Sequence, residues 1–444
     1  MEGDRKGRGP RYCRCRMANG RVPGRAAELP RLLSGRRYHA NDPSSVALAR
    51  HSDNKISIPS TAIDDLRTLL RLSRIPRKTF ESVNADRENK FGMTTARLVQ
   101  LRDAWLDFDW RKQESYINSH PQYLATPKTS DGKELKIHFA ALFSKKKDAI
   151  PIILSHGWPG SFMEFYGILD LVKKQYTPET LPYHLIVPSL PGYAFSSPPP
   201  LDRDFSVQDI AFVFNNLMTG LGFGGGYAAQ GGDIGSFVTN ALGVYHEECK
   251  IIHLNFRLLL GKPTGSTPTP TPSPSSTQSQ TPADPLLPLQ TFGYALEQGT
   301  RPSTIGITVS TNPLSLISWI GEKYDACPDQ PFTMERLLTF ASLYWFTDSF
   351  SSSIYPYRYA FGINRHVPTA EKQFQKTPTG YSVFPYELFQ PSEEDLKRTL
   401  NLVYYRQHKA GGHFAALGEP ETLWGDVEEF VRENWDKSKI SAHL

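Results

Sequence analysis

No run of about 18 apolar residues occurs anywhere in the 444-residue chain, so the sequence offers no candidate for a membrane-spanning helix. Cysteine is scarce. Cys13 and Cys15 sit in a basic stretch, and Cys249 and Cys327 lie far apart, so no disulfide framework can be read. A reduced, cytoplasmic setting is the expectation, and the absence of any Asn-x-Ser/Thr acceptor agrees with it. Metal-binding patterns are missing as well. There is no H-E-x-x-H and no paired C-x-x-C, and the cluster His246-Glu247-Glu248-Cys249 reads as the solvated end of a helix. No metal and no cofactor are expected.

The chain also lacks the distributed positive charge that nucleic-acid binding requires. Its formal net charge is +5, but residues 1–50 carry twelve Lys/Arg against four Asp/Glu, so the rest is net acidic. The basic residues fall among glycine and proline, as in GDRKGRGPRYCRCR, and not on a foldable face. Residues 1–50 are expected to be a disordered tail or a misassigned start. A mitochondrial presequence is the alternative, weakened by Glu2 and Asp4 at its front. No nucleic-acid partner is expected.

What is present is the grammar of an α/β enzyme. LKIHFAALF alternates like a strand; AIPIILSHGWPGS and YHLIVPSLPGYAFSS are apolar runs that break into Gly/Pro turns. VQDIAFVFNNLMTGL has helical spacing, and YAAQGGDIGSFVTNALGVY gives strand, tight turn and helix. Such alternation predicts a mostly parallel central sheet. Earlier, AIDDLRTLLRL predicts a helix capped by Ser60 or Thr61, with Leu66, Leu69 and Leu70 on one face. Residues 262–289, KPTGSTPTPTPSPSSTQSQTPADPLLPL, cannot build a core and read as a surface insertion. The resulting division is a tail (1–50), an N-terminal region (51–145), a first core part (146–258), the insertion (259–290), a helical lid (291–362) and a second core part (363–444).

The strongest chemical signal is Gly231-Gly232-Asp233-Ile234-Gly235-Ser236. Small residues around one reactive side chain, between strand and helix, make a nucleophile elbow with Asp in place of the usual Ser. A carboxylate that attacks saturated carbon forms an ester, which water can hydrolyse; a serine would form a stable ether. The elbow therefore points to substitution at carbon, as in epoxides or alkyl halides. The bland reading is an Asp that caps the following helix. A base is supplied by Gly411-Gly412-His413-Phe414, after the last predicted strand. The acid that orients it should follow the penultimate strand. Glu387, after SVFPY, is favoured over Asp348 in a helical stretch. In His156-Gly157-Trp158-Pro159-Gly160 the Trp158 N–H can serve as one oxyanion donor, with the Ile234 N–H as the other. Gly220, Gly222 and Gly225 fit G-x-G-x-x-G, but that stretch follows a helix and precedes a strand, the reverse of a dinucleotide site.

HGWPGS, QGGDIGS, FGYALEQGTRPSTIG, FPYEL and GGHFAALGEPE together resemble the microsomal-type epoxide hydrolases, in particular their soluble fungal members. The likeness runs from about residue 55 to 437, broken by the insertion, and takes in KISIPSTAIDDLRTLLRLSRIP and DFDWRKQESYINSHPQY. The resemblance implies an α/β-hydrolase fold with a helical lid and an N-terminal meander around the core. It implies two lid tyrosines that hold the epoxide oxygen. Tyr294 matches the first through FGYALEQ; Tyr357 matches the second, with Tyr355 as fallback. It further implies an epoxide and water as substrates, with no transmembrane anchor expected and a homodimer left open. Two features depart from the family. The insertion precedes the first lid tyrosine, and Ile234 replaces the Trp common after the nucleophile in animal relatives. The rivals are a haloalkane-type dehalogenase, which shares the Asp nucleophile, and a catalytically silent binding protein on the same fold.

Overall fold

The computed structural model of the chain describes residues 55–84, 91–258, 287–326, 332–361 and 374–441. The expected tail and the Pro/Ser/Thr-rich insertion lie outside the described residues, except that the end of the insertion opens helix Leu287–Thr300.

Eight strands form one sheet: β1 (Gln122–Ala125), β2 (Ile137–Leu142), β3 (Ile150–Ser155), β4 (Tyr183–Pro188), β5 (Tyr227–Gly231), β6 (Cys249–Leu254), β7 (Gln375–Val383) and β8 (Leu400–Gln407). Their order is β1-β2-β4-β3-β5-β6-β7-β8. β1 and β2 pair antiparallel, as do β2 and β4; every other pair is parallel. β1 and β2 fall within 51–145, so that region contributes the two outermost strands on one side of the sheet as well as helices. The central strands are apolar without alternation because both faces are covered. β5 is buried at every position, and β3 at all but its first. Helices Tyr166–Gln175, Val207–Met218 and Asp233–Tyr245 make the crossovers between β3, β4, β5 and β6.

This order places the site. From β3 the chain steps to β4 on one side, then returns to β5 on the other. A crevice opens at the carboxyl ends of strands where a parallel sheet switches direction, here beyond β3 and β5. A set of helices between β6 and β7 (Leu287–Thr300, Pro302–Ser310, Pro313–Asp325, Met334–Phe346, Phe350–Ser353 and Tyr357–Phe361) forms the lid.

The N-terminal region braces that lid. Arg97 on helix Thr95–Leu106 makes a two-pronged ion pair with Asp325, 2.9 and 2.7 Å. Trp105 donates its indole N–H to Ser342 Oγ at 2.8 Å. The extended stretch before the first helix is pinned by Glu114 Oε1, which accepts the Ile58 N–H at 2.6 Å, and by an amide pairing of Asn118 with Ile56. Helix Ser60–Leu72 forms as expected, but its buried face is Ile63, Leu66 and Leu70, while Leu69 is 38% exposed. The apolar stripe turns one residue away from Leu69 because Ile63 lies a turn ahead of Leu66, on the line to Leu70. No side chain caps this helix; Pro59 is its N-cap residue. Among the described residues, no helix is long and apolar enough to cross a membrane.

Candidate active site

Asp233 follows β5 at the first turn of helix Asp233–Tyr245 with φ 47°, a left-handed conformation rare for a residue with a side chain. Such a conformation costs about 1–3 kcal/mol and persists only where the surroundings enforce it. The enforcement is visible. A β-carbon on Gly235 would lie 2.0 Å from the Ser155 carbonyl oxygen, so the helix can approach β3 this closely only with glycine there. The N-cap is Gly232 and no side chain caps the helix, so Asp233 does not spend its carboxylate on capping. It aims instead at the turn after β3. The Trp158 N–H donates to Asp233 Oδ1 at 2.7 Å, and a β-carbon on Gly157 would sit 2.1 Å from that oxygen.

That turn is held rigidly from behind. His156 is buried, its Nε2 accepting the Leu190 N–H at 3.1 Å and its Nδ1 lying 3.0 Å from the Gly157 carbonyl. Burial lowers its pKa to about 4, so it is neutral, as an accepting Nε2 requires. The phenols of Tyr324 and Tyr344 donate to the carbonyls of Pro159 and Gly160 at 2.8 and 3.0 Å. The Trp158–Pro159 peptide is cis.

His413 lies in the loop after β8, and Glu387 in the loop after β7. His413 Nε2 is 3.1 Å from Asp233 Oδ2, and its Nδ1 is 2.7 Å from Glu387 Oε1. Glu387 Oε1 also accepts the Leu388 N–H at 2.6 Å. Burial raises the Glu387 pKa, and His413 pulls it partly back. For His413 burial opposes the cation, yet Glu387 and Asp233 outweigh it and hold the pKa well above 6.5. Asp348, the other candidate acid, sits at the end of helix Met334–Phe346 and has no hydrogen bond or ion pair to His413.

Tyr294 and Tyr357 meet above Trp158. Tyr294 stacks on the indole with centroids 5.4 Å apart, Tyr357 meets it edge-on at 5.6 Å, and the two phenol rings are 5.8 Å apart. Burial, then the neighbouring Tyr294 and Asp233, hold the Tyr357 pKa well above 10. Tyr355 points elsewhere, its hydroxyl donating to the Pro191 carbonyl at 3.2 Å. Phe256 packs edge-on against His413 at 5.5 Å, and Phe389 against Phe256 and Phe292, giving the imidazole an apolar wall. Ile234 is the second residue of its helix, where the N–H lacks an intrahelical acceptor.

Sequence reasoning passed over Tyr324 and Tyr344, which act through hydroxyls on backbone carbonyls. Gly220–Gly225 lies between helix Val207–Met218 and β5, the order that excludes a dinucleotide turn. Among the described residues, no group of three His, Cys, Asp or Glu could hold a metal ion.

Comparison with known proteins gives the family of the chain. Residues 51–165 match the family model for the epoxide hydrolase N terminus, and residues 150–255 that for the alpha/beta hydrolase fold. A protein of Dothistroma septosporum assigned to the epoxide hydrolases is 40% identical over 87% of this chain and 91% of its own length. Epoxide hydrolase 1 of Sus scrofa is 31% identical, covering 77% of this chain and 81% of its own. The solved structure of Aspergillus niger epoxide hydrolase superposes with a TM-score of 0.76 at 45% identity, covering 85% of this chain and 95% of that one. The chain belongs to the epoxide hydrolase family and is an epoxide hydrolase of the α/β-hydrolase fold.

Proposed function

We propose that this enzyme converts epoxides to vicinal diols through a covalent ester on Asp233. The observation that carries the reading is one imidazole hydrogen-bonded on one side to the Asp233 carboxylate and on the other to buried Glu387. Asp233 attacks an epoxide carbon from behind, and the C–O bond opens toward Tyr294 and Tyr357. A phenol is far more acidic than the alcohol being formed, so one tyrosine gives its proton to the opening oxygen. Water then attacks the ester carbonyl and passes a proton to His413. The Trp158 N–H, already on Asp233 Oδ1, and the Ile234 N–H receive the oxyanion. Collapse releases the diol, which takes the proton from His413, and the regenerated carboxyl returns a proton to the tyrosinate. Glu387 keeps the imidazole oriented and stabilises its cation without handling substrate.

The test is isotopic. A single turnover in ¹⁸O-water should label the Asp233 side chain and leave the first diol with ¹⁶O from the original carboxylate. Label found directly in that diol means that water opens the epoxide itself. Halide release from a haloalkane, with no diol from an epoxide, would instead support the dehalogenase reading.

A further inference from the structure

Lys323 lies on the lid helix Pro313–Asp325, and its ammonium stands over the ring of Tyr294, 4.6 Å from the centroid. Two helices fix it there. Trp319, one turn earlier on the same helix, presents its ring 5.6 Å from the ammonium and donates its indole N–H to Gln298 Oε1 at 2.9 Å. Gln298 is one turn beyond Tyr294 on helix Leu287–Thr300. Residues four apart share a helix face, so the pair Tyr294 and Gln298 meets the pair Trp319 and Lys323. Glu322 Oε1 is 2.9 Å from the ammonium and offsets part of its charge. The Lys323 side chain is only 16% exposed. A lysine on a helix can ordinarily carry its charge out to water, and drawing it in over a ring is costly.

The ring beneath it is one of the two lid phenols. When the epoxide opens, one phenol becomes a tyrosinate until the Asp233 carboxyl returns the proton. The charge of a tyrosinate is spread over its oxygen and its ring, so a cation above the ring stabilises the ionised form more than the neutral phenol. In a place largely cleared of water that attraction is weakly screened. The two phenols differ in this respect. The ammonium stands over Tyr294, whereas burial, then the charge Tyr294 would carry, then Asp233 all oppose ionisation of Tyr357.

We propose that Lys323, through its ammonium over the ring, makes Tyr294 the phenol that yields its proton to the opening oxygen, while Tyr357 donates a hydrogen bond and keeps its own. The proposal rests on the ester reading above and names the proton donor of its first step. In that step a carboxylate oxygen of Asp233 bonds to the epoxide carbon, the C–O bond breaks, and the Tyr294 hydroxyl proton moves to the freed oxygen. The tyrosinate stays beside the ammonium until ester hydrolysis regenerates the Asp233 carboxyl, whose proton returns to it. Lys323 gains and loses no proton. It is a positioning residue that acts through Tyr294.

The test is a set of variants followed in single turnovers with styrene oxide, reading the adduct by intact mass and the diol by chromatography. Lys323→Met keeps the length of the side chain and removes the charge; Lys323→Arg keeps the charge. The Met variant should alkylate about tenfold more slowly with ester hydrolysis at the wild-type rate, and the Arg variant should recover most of the loss. In a Tyr357→Phe background Lys323→Met should lower alkylation by the same factor again. In a Tyr294→Phe background it should change nothing, because no tyrosinate forms beside the ammonium. Unchanged ester hydrolysis certifies the fold, and Lys323→Gln takes the place of the Met variant if that one does not fold. Alkylation at the wild-type rate without the charge, a tenfold loss that persists in Tyr294→Phe, or equal loss of both steps overturns the proposal. Label from ¹⁸O-water found directly in the first wild-type diol would instead remove the ester reading beneath it.

Discussion

The ring of Tyr294 lies nearly parallel to that of Trp158, at 18° and 5.4 Å, so the residue whose amide holds Asp233 also carries a lid phenol. Tyr357 touches both rings. Removing either hydroxyl should therefore act on epoxide opening without disturbing Asp233. Tyr294→Phe and Tyr357→Phe are each expected to slow alkylation by about 10²–10³. Tyr355→Phe should leave alkylation unchanged, since its hydroxyl serves the Pro191 carbonyl. Rapid-mixing measurement of adduct formation decides this. A silent Tyr357→Phe beside a damaging Tyr355→Phe would reverse the assignment.

His413→Gln should stop turnover after the first step and leave an adduct on the protein, because alkylation uses the carboxylate and the two lid phenols and not the imidazole. Asp233→Ala should form no adduct. Intact-mass spectra before and after epoxide addition give the answer, and an adduct on Asp233→Ala would place the nucleophile elsewhere. Glu387→Gln should hydrolyse the ester slowly, since the imidazole loses the anion that supports its cation at 2.7 Å.

Buried histidines set the acid limit of stability. Burial lowers the pKa of His120, His156 and His253 to about 4 and that of His138 to about 3. Below about 6.5 the unfolded chain binds protons at these sites that the folded chain refuses, so stability falls with pH down to their folded values. The carboxyls that burial raises, Glu164 to about 8 and Glu387 and Asp348 above their ordinary values, work the other way: their contribution is lost as pH rises through their folded pKa. The four imidazoles outweigh these carboxyls, and Tm should drop between pH 6.5 and 4. A flat Tm across that window, measured by calorimetry, contradicts the burial of these rings.

Gly235→Ala should be severe, for its β-carbon must enter the space of the Ser155 carbonyl at 2.0 Å, and backbone cannot rotate away as a side chain can. Gly220→Ala meets nothing within 4 Å and should leave both Tm and activity unchanged. Loss of function in Gly220→Ala would reopen a role for the glycine-rich turn.

The sequence made much of this architecture legible, for reasons that can be named. Apolar runs ending in Gly/Pro turns mark buried parallel strands, and Asp between glycines is rare enough to mark an elbow. Glu387 could be favoured over Asp348 because it follows a strand, and the structure sets it beside the imidazole. Tyr294 and Tyr357 carried no pattern of their own; only resemblance separated them from the other tyrosines. Lys323 stayed invisible because its place over the Tyr294 ring depends on how two helices pack and not on residue order. The face of the first helix was misjudged by one position, since Leu69 and Leu70 are equally apolar and only packing chooses between them.

Asp233 and His413 are 180 residues apart in the chain, and His413 and Glu387 come from loops after the last two strands of the sheet. No local segment can bring them together. The contact forms only when β5, β7 and β8 are all in place, with the lid segment already threaded between β6 and β7. Closing so long a loop is entropically costly and comes late in folding. A nascent or half-folded chain thus lacks the contact of His413 with Asp233 and Glu387. Turnover becomes a property of the completed molecule, and its onset during refolding a clock for the final assembly of the sheet.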